Sequence, residues 1–385
     1  MKKALRKIHL WLSVPTGIII TLVCFSGAML VFEKEITEAI KPELYFVKEA
    51  KGEPIPMQQL MEKVEETLPD SVSISGVTVF ADSTRTYQVS LSKPRRASIY
   101  VNQYTGEVTG RSERLPFFNT MFHLHRWLLG ASSGVGKLLT GICTLVLVFI
   151  LITGILMWLT NRNKPLKASL AIHVTKGWGR FWHDLHVAGG IYATIFLLAM
   201  ALTGLTWSFS WYRTGFYACF GVESSEKGGA HGEGGNSHGD GRGSHGDGRN
   251  NHEGKRGESC GFHRRSPYRH WEDVLNEVAL KNPGYQQITL KPEVAEVVPE
   301  GRLSLRATDK YSYDRRSGEI TDVKLYSSEG KDTKVRSGVY MVHTGSWGGI
   351  ITRILNFLAA LIGATLPLTG YWLWIRRLTR KRAKI

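Results

Sequence analysis

Four long apolar segments constrain this chain more than any other feature of its sequence. They lie at 8–32, 138–160, 191–211 and 354–375, and each has about 20 residues or more and almost no charge. A helix of that length crosses roughly 30 Å of hydrocarbon. The sequence therefore predicts four transmembrane helices. The first starts in "MKKALRKIHLWLSVPTG", and because its apolar run is too long for a signal peptide and lacks a small-x-small cleavage site, we expect it to be retained.

Positive charge indicates which loops stay inside the cell. The formal net charge is +16, and fifteen Lys or Arg residues lie in three segments without any acid, at 1–7, 161–182 and 376–385. Basic residues beside a span remain in the cytoplasm. We therefore expect a bacterial inner-membrane protein with cytoplasmic termini and a cytoplasmic middle loop. Since no basic recognition motif accompanies the charge, we expect a lipid bilayer and no nucleic acid as its partner.

Two long segments, about 33–122 and 212–342, are then periplasmic. Each begins with a helix-like pattern, "PMQQLMEKVEETL" or "HWEDVLNEVAL", and continues with alternating strands that end in a Gly-containing hairpin, "QYTGEV" or "RRSGEI". This order predicts two small α+β modules. Cys219 and Cys260 lie in this oxidising compartment, where a disulfide between them is one interpretation and two unpaired thiols are the other.

The two halves of the chain resemble each other. His9 precedes Gly27 by 18 residues, and His186 precedes Gly204 by 18 residues. In the same way His125 precedes "ITGILMWL", and His343 precedes "LTGYWLWI". The sequence predicts a tandem repeat of helix, outer module and helix, in which both copies have the same orientation because each crosses twice.

An insertion at 223–262 has a different composition, with "HGEGGNSHGDGRGSHGDGRNNHEG" at its centre. Its glycine content opposes a stable helix, which favours a flexible loop. A weak site for Zn, Cu or Ni is compatible with that loop, since neutral imidazole suits these ions. The candidate ligands recur every seven residues: His231, His238, His245 and His252.

Four other histidines hold equivalent places, one near the start of each span. His9 and His186 belong to spans that start inside, and His125 and His343 to spans that start outside. From His9 to Gly27 a helix rises about 27 Å at 1.5 Å per residue. The sequence thus predicts one imidazole pair at each face of the membrane.

A bis-histidine haem uses such a pair. Haem iron takes axial nitrogen ligands, and the macrocycle packs against apolar helix faces, whereas two histidines would leave half of a zinc shell unfilled. The alternative is that these histidines are hydrogen-bonded at helix ends, as we expect for their neighbours His123 and His183. Arg126, beside His125, is either a propionate partner or an interfacial arginine. The residues expected to give the haem clearance are Gly27, Gly154, Gly204 and Gly370.

At these residues the chain resembles the PepSY-associated transmembrane helix family of iron-regulated membrane proteins. The similar blocks are "LHRWLLG", "DLHVAGG", "VHTGSWGG", "ITGILMWL" and "TGYWLWIRR", and "YVNQYTGEV" resembles a PepSY strand and turn. The resemblance covers nearly the whole chain except 223–262. It implies an inner-membrane reductase that uses two b-type haems to reduce a ferric siderophore or other ferric chelate and to release Fe(II). The matching histidines are His9, His125, His186 and His343.

Two further hypotheses stay open on the sequence. One is a PepSY membrane protein without enzymatic activity that binds a peptide or protease. The other is a metal transporter fed by the His-rich insertion, against which stands the absence of an acidic residue at the centre of any span. For the reductase, the chain has no Gly-rich dinucleotide fingerprint, so we expect a cytoplasmic reductase or a membrane quinol to donate the electrons.

The predicted division of the chain follows from these patterns. It comprises the first span (1–33), a PepSY-like module (34–122), an interfacial segment with the second span (123–160), a cytoplasmic loop (161–182), the third span (183–211), a second PepSY-like module with the insertion (212–342), an interfacial segment with the fourth span (343–376) and a cytoplasmic tail (377–385).

Overall fold

The computed structural model of the chain describes residues 2–50, 52–94, 97–160, 169–222 and 268–382. Within these ranges its α-helices are α1 (Lys2–Leu30), α2 (Glu33–Ile40), α3 (Pro42–Tyr45), α4 (Met57–Glu66), α5 (Pro116–Trp127), α6 (Val135–Leu159), α7 (Trp178–Asp184), α8 (Gly190–Ser208), α9 (Ser210–Ala218), α10 (Trp271–Lys281), α11 (Lys331–Thr344) and α12 (Gly349–Arg382). A π-helical turn, Leu185–Gly189, joins α7 to α8.

The four predicted spans are confirmed. The helical segments long and apolar enough to cross a membrane in the described part of the chain are Lys3–Leu30, Val135–Leu159, Trp178–Ser208 and Ser346–Thr379. The third begins well before residue 191, because the aromatic segment that was expected to end the cytoplasmic loop continues the helix as α7. The insertion and Cys260 lie outside the described residues, so the metal ligands and the disulfide predicted there stay predictions.

The spanning helices form a bundle. Helix α1 packs against α6 and α12, and α8 packs against the same two, so that α1 and α8 face each other across the bundle. A Cβ atom at Gly363 would lie 2.8 Å from Leu197, which shows how closely α12 approaches α8. Polar groups also join the helices, since Tyr371 donates a hydrogen bond to the carbonyl of Val14. Small residues and interhelical hydrogen bonds are the means by which helices associate where the surroundings are as apolar as the helices themselves.

The bundle has two different ends. The start of α1, the end of α6, α7 and the end of α12 lie at one end, which we call the termini side. The opposite end, the sheet side, carries the short helices α5 and α11 and a β-sheet. The histidines predicted at the starts of the second and fourth spans therefore lie on separate helices, α5 and α11, which the apolar runs at 138–160 and 354–375 did not include. A hydropathy pattern detects only long apolar runs. The two helices α5 and α11 are short and carry polar residues, so the pattern does not reveal them.

The sheet has eight antiparallel strands in the order β4-β3-β2-β1-β5-β6-β7-β8. The two predicted modules contribute four strands each, and β1 pairs with β5 through Val77 opposite Leu290 and Thr78 opposite Thr289. The strands are β1 (Ile74–Phe80), β2 (Tyr87–Leu91), β3 (Ser98–Val101), β4 (Val108–Arg111), β5 (Gln287–Lys291), β6 (Val294–Val298), β7 (Asp309–Tyr313) and β8 (Ile320–Lys324).

The two modules share one hydrophobic core, which differs from the separate modules that the sequence predicts. Leu60 of α4 and Trp271 of α10 are both fully buried in the same cluster, together with Val77 and Leu290. The side chains of Thr78 and Thr289 are hydrogen-bonded across the seam at 2.9 Å. The strand pairing therefore closes the space between the modules along β1 and β5.

Helix α2 connects the sheet to the bundle through three acidic side chains. Glu33 pairs with Arg114 before α5, Glu35 pairs with Arg353 of α12, and Glu38 pairs with Arg85 beside the sheet. Each arginine uses two nitrogens on its carboxylate, which fixes orientation as well as distance.

Candidate functional site

Each of the four predicted ligand histidines lies against a glycine of a neighbouring helix. A Cβ atom at Gly27 of α1 would be 2.8 Å from Cε1 of His125 on α5. A Cβ atom at Gly204 of α8 would be 3.1 Å from Cε1 of His343 on α11. The glycines predicted to give a macrocycle clearance thus make room first for the imidazoles.

The same relationship holds at the termini side. A Cβ atom at Gly154 of α6 would be 3.6 Å from Cε1 of His9, and one at Gly370 of α12 would be 3.4 Å from Cε1 of His186. His186 lies in the π-helical turn, a distortion that occurs frequently at functional sites.

All four imidazoles use Nδ1 to bond the neighbouring helix. Nδ1 of His125 donates to the carbonyl of Val23 at 2.9 Å, and Nδ1 of His343 donates to that of Met200 at 2.9 Å. Nδ1 of His186 lies 3.1 Å from the carbonyl of Leu366. A carbonyl only accepts, so the proton of each neutral ring is on Nδ1.

His9 also uses Nδ1 to bond a neighbouring helix, but its partner is a hydroxyl group instead of a carbonyl. Its Nδ1 lies 2.9 Å from Oγ1 of Thr153, and that hydroxyl donates its own hydrogen to the carbonyl of Ile150. The hydroxyl oxygen is therefore the acceptor for Nδ1–H. Among the described residues, Nε2 of each of the four rings has no hydrogen-bond partner. A neutral imidazole with Nδ1–H anchored and Nε2 available is the form that ligates a metal.

The two histidines of the sheet side come together as a pair. The ring centroids of His125 and His343 are 6.1 Å apart, and their planes differ by 53°. With metal–nitrogen bonds of about 2 Å and each ring centre about 1 Å behind its nitrogen, two imidazoles on opposite sides of one ion have centroids about 6 Å apart. Burial lowers the pKa of both rings, that of His343 to about 3, which keeps them neutral. This pair fits two axial ligands of one metal ion.

The two histidines of the termini side are close enough for their charges to interact. His9 is on α1 and His186 is on the turn before α8, so the two residues lie on the helices that are diagonal in the bundle. The levels of the two pairs are about 27 Å apart along α1, since His9 lies 18 residues before the glycine that receives His125.

Two buried donors, on segments next to those that carry the histidines or their glycines, suit the carboxylates of a haem. Nη1 of Arg114, before α5, and Nε1 of Trp158, on α6 one turn after Gly154, are buried and have no hydrogen-bond partner among the described residues. Arg126 interacts electrostatically with both His125 and His343, and its guanidinium lies over the rings of Phe122 and Trp127 at 5.5 and 5.6 Å. Propionate oxygens would accept hydrogen bonds from Nη1 of Arg114 and Nε1 of Trp158.

The family profile described as PepSY-associated TM region matches residues 6–377, nearly the whole chain. The chain belongs to this family. No curated protein matches it. The family assignment agrees with the resemblance found in the sequence blocks, and it establishes a PepSY-associated membrane protein with several spans.

This PepSY-associated protein has a further polar cluster that sequence reasoning missed. Asp184, which is only 5 % exposed, lies at the start of the third span and bonds His173, Arg180 and His183. An acid next to a histidine at the mouth of an apolar run was the available signal. His123 has a different role, since its ring packs edge-on against Trp127 at 4.9 Å.

Proposed function

We propose that this protein is a di-haem b reductase of the bacterial inner membrane that passes electrons from the cytoplasmic to the periplasmic side and reduces a ferric siderophore or other ferric chelate there. The observation that carries the proposal is the pairing of His125 with His343, with both Nδ1 atoms anchored and neither Nε2 atom bonded to another described residue.

The positive-inside rule gives the orientation. In the sequence, the three basic segments 1–7, 161–182 and 376–385 adjoin the helix ends of the termini side, so we assign this side to the cytoplasm. The sheet side is then periplasmic, and the two halves of the chain, each with a helix, a four-stranded module and a second helix, are a tandem parallel repeat. Electrons enter on the side of His9 and His186 and leave on the side of His125 and His343.

The residues of the chain would hold the two cofactors and set their surroundings. Haem held by His9 with His186, and by His125 with His343, would supply reversible one-electron chemistry. The Nδ1–H bonds fix each imidazole plane and raise its basicity. The packed bundle excludes water, and Arg126, Arg114 and Trp158 would bind propionates.

Reduction releases iron because the chelator binds Fe(II) much more weakly than Fe(III). Hard oxygen ligands hold Fe(III) far better than the softer Fe(II). One electron per iron suffices, and no proton donor is needed at the reacting centre. Since β1 and β5 close the seam between the modules, we place the chelate on the sheet side beside α5 and α11, which carry His125 and His343, instead of between the modules.

The test is reoxidation of the reduced protein. The purified protein is reduced with a limiting amount of dithionite, mixed with ferrioxamine B or ferric citrate, and followed by its visible bands while ferrozine traps Fe(II). We expect reoxidation with equivalent formation of Fe(II), and its loss in His125→Ala. His123→Ala, two residues earlier on α5, is the matched control and retains it.

Two outcomes oppose the proposal. A protein that is colourless after expression with sufficient haem favours the peptide-binding or metal-transport hypotheses. A haem protein that stays reduced in the presence of both chelates carries electrons to some other acceptor.

A further inference from the structure

The densest charged cluster outside the histidine pairs surrounds Asp184 at the termini side. Oδ2 accepts hydrogen bonds from Nδ1 of His173 at 2.8 Å and from Nε of Arg180 at 2.8 Å, and Oδ1 lies 3.2 Å from Nδ1 of His183. A buried ionisable group at the edge of a membrane span is expensive, and such groups mark proton pathways or ligand sites. The cluster lies one turn before His186.

His173 is the member of this cluster that is built to accept a proton. Because its Nδ1 is bonded to Asp184, its Nε2 is the acceptor of the neutral ring, and Nε2 has no partner among the described residues. The ring is 27 % exposed. Its segment is held in place by the hydroxyl of Tyr192, which donates to the carbonyl of Leu170 at 3.1 Å. An imidazole oriented by a buried carboxylate is the arrangement of a general base.

Aromatic side chains extend from α7, the short helix that ends at Asp184. Trp178 is 75 % exposed, and its ring is stacked on that of Trp182, with centroids 6.1 Å apart and planes 25° apart. Phe181 meets Trp182 edge-on at 5.0 Å. Tryptophan at the end of a span lies at the level of the lipid head groups, and flat aromatic surfaces stack with other flat rings. The cluster thus joins a proton acceptor to an aromatic surface that faces the lipid interface.

We propose that the electron donor is a membrane hydroquinone and that His173, oriented by Asp184, accepts its protons. The inference rests on the proposed function, since the oxidant would be the ferric haem that His9 and His186 would hold. The alternative donor, a cytoplasmic reductase that delivers electrons alone, would give His173 no proton to accept.

The step balances as follows. A hydroquinone loses two electrons and two protons and becomes a quinone, and both of its O–H bonds break. His9 and His186 would hold the haem that serves as the one-electron acceptor, and it would take the two electrons one at a time. Each proton goes to Nε2 of His173, which releases the first to cytoplasmic water before it takes the second. The charged groups that face His173 or the helix α7 beside it are Asp184, Arg180 and His183, with Arg376 of α12 reaching α7 at Gly179.

The kinetic experiment uses the haem-loaded protein in liposomes without oxygen. Decylubiquinol or menadiol is added, and reduction of the b-type bands is followed by stopped flow. We expect His173→Gln to slow this reduction by about 100-fold, the usual contribution of a general base, and to leave reduction by dithionite unchanged. The control is His270→Gln, because His270 forms a similar pair with Asp273 on α10 of the sheet. That variant keeps the rate of the unchanged protein.

A second measurement does not depend on turnover. An azidoquinone is photolysed with the protein, and labelled peptides are mapped by mass spectrometry. We expect label within 169–184 that decylubiquinol displaces. The inference is overturned if neither hydroquinone reduces a protein that dithionite reduces, if His173→Gln keeps the full rate, or if the label falls elsewhere. The first of these outcomes leaves the proposed reductase function intact, since ferric chelates can still reoxidise the dithionite-reduced protein.

Discussion

The imidazole of His125 lies so close to Gly27 that a Cβ atom there would be 2.8 Å from its Cε1 atom. The ring also bonds the carbonyl of Val23 on the same helix. Helix α1 therefore positions a side chain of α5 by shape and by one hydrogen bond, and a glycine in the first half of the chain controls a site that the second half completes through His343.

The substitution Gly27→Val should abolish the haem site of His125 and His343 and leave that of His9 and His186. The added side chain occupies the place of the His125 ring, which cannot keep both its bond to Val23 and its position opposite His343. We expect the haem content of the purified protein to fall from two to one per chain. Gly215→Val is the control, because no atom lies within 4 Å of a Cβ at that position. An unchanged haem content in Gly27→Val would show that the ring is not held there.

Thr153→Val should weaken haem binding at the site of His9 and His186. The hydroxyl of Thr153 accepts the Nδ1–H bond of His9, and loss of such a supporting bond lowers metal affinity about 10- to 100-fold. Haem retention during dilution, followed by absorbance, measures the effect. Thr144→Val on the same helix removes a hydroxyl that bonds only the carbonyl of Thr140, and should retain haem normally. Equal retention by the two variants would contradict the assigned role of Thr153.

Leu290→Ala should destabilise both halves of the sheet together. Leu290 is fully buried in the shared core, and removing such a side chain costs about 2–5 kcal/mol. Limited proteolysis with peptide mapping should show faster cleavage in 74–111 as well as in 287–324. Leu280→Ala, which removes a side chain that is 83 % exposed, is the control. Cleavage confined to 287–324 would mean that the modules unfold independently.

The ion pair of Glu35 with Arg353 should stabilise the protein at neutral pH and fail in acid. The hydrogen bond from Arg353 lowers the pKa of Glu35 below its usual 4.5. A carboxyl with a lowered pKa contributes stability above its unfolded pKa and loses it as the pH falls through the folded pKa. We therefore expect Glu35→Gln to lower the thermal midpoint at pH 7 by a small amount, since the pair is partly exposed, and to match the unchanged protein only once the pH has fallen below the lowered pKa of Glu35 in the folded protein. Glu43→Gln on α3 should have no effect at either pH, and a difference for Glu35→Gln that persists in acid would contradict the assignment.

The sequence predicted the spans and the pairing of the histidines because both leave local or periodic signals. A lipid-facing helix must be apolar along its length, and the spacing of His9 to Gly27 recurs at His186 and Gly204. The roles of these histidines as haem ligands stay a prediction.

Other features depend on contacts that no local pattern records. The pairing of Val77 with Leu290 joins strands about two hundred residues apart, so hydropathy alone indicated two modules and not one sheet. The contact of each imidazole with a glycine is likewise between helices. Asp184 was overlooked because its partners His173 and Arg180 were assigned to the cytoplasmic loop at 161–182, and no local pattern joins them to a carboxylate in the third span.

The most direct test of the account is the number of haems per chain and their ligands, measured by pyridine haemochrome and low-temperature electron paramagnetic resonance. The account predicts two b-type haems with low-spin bis-histidine signals, of which one is lost in His125→Ala or His343→Ala and the other in His9→Ala or His186→Ala, while His123→Ala keeps both. A protein without haem, or one whose haem signals survive all four substitutions, would contradict it.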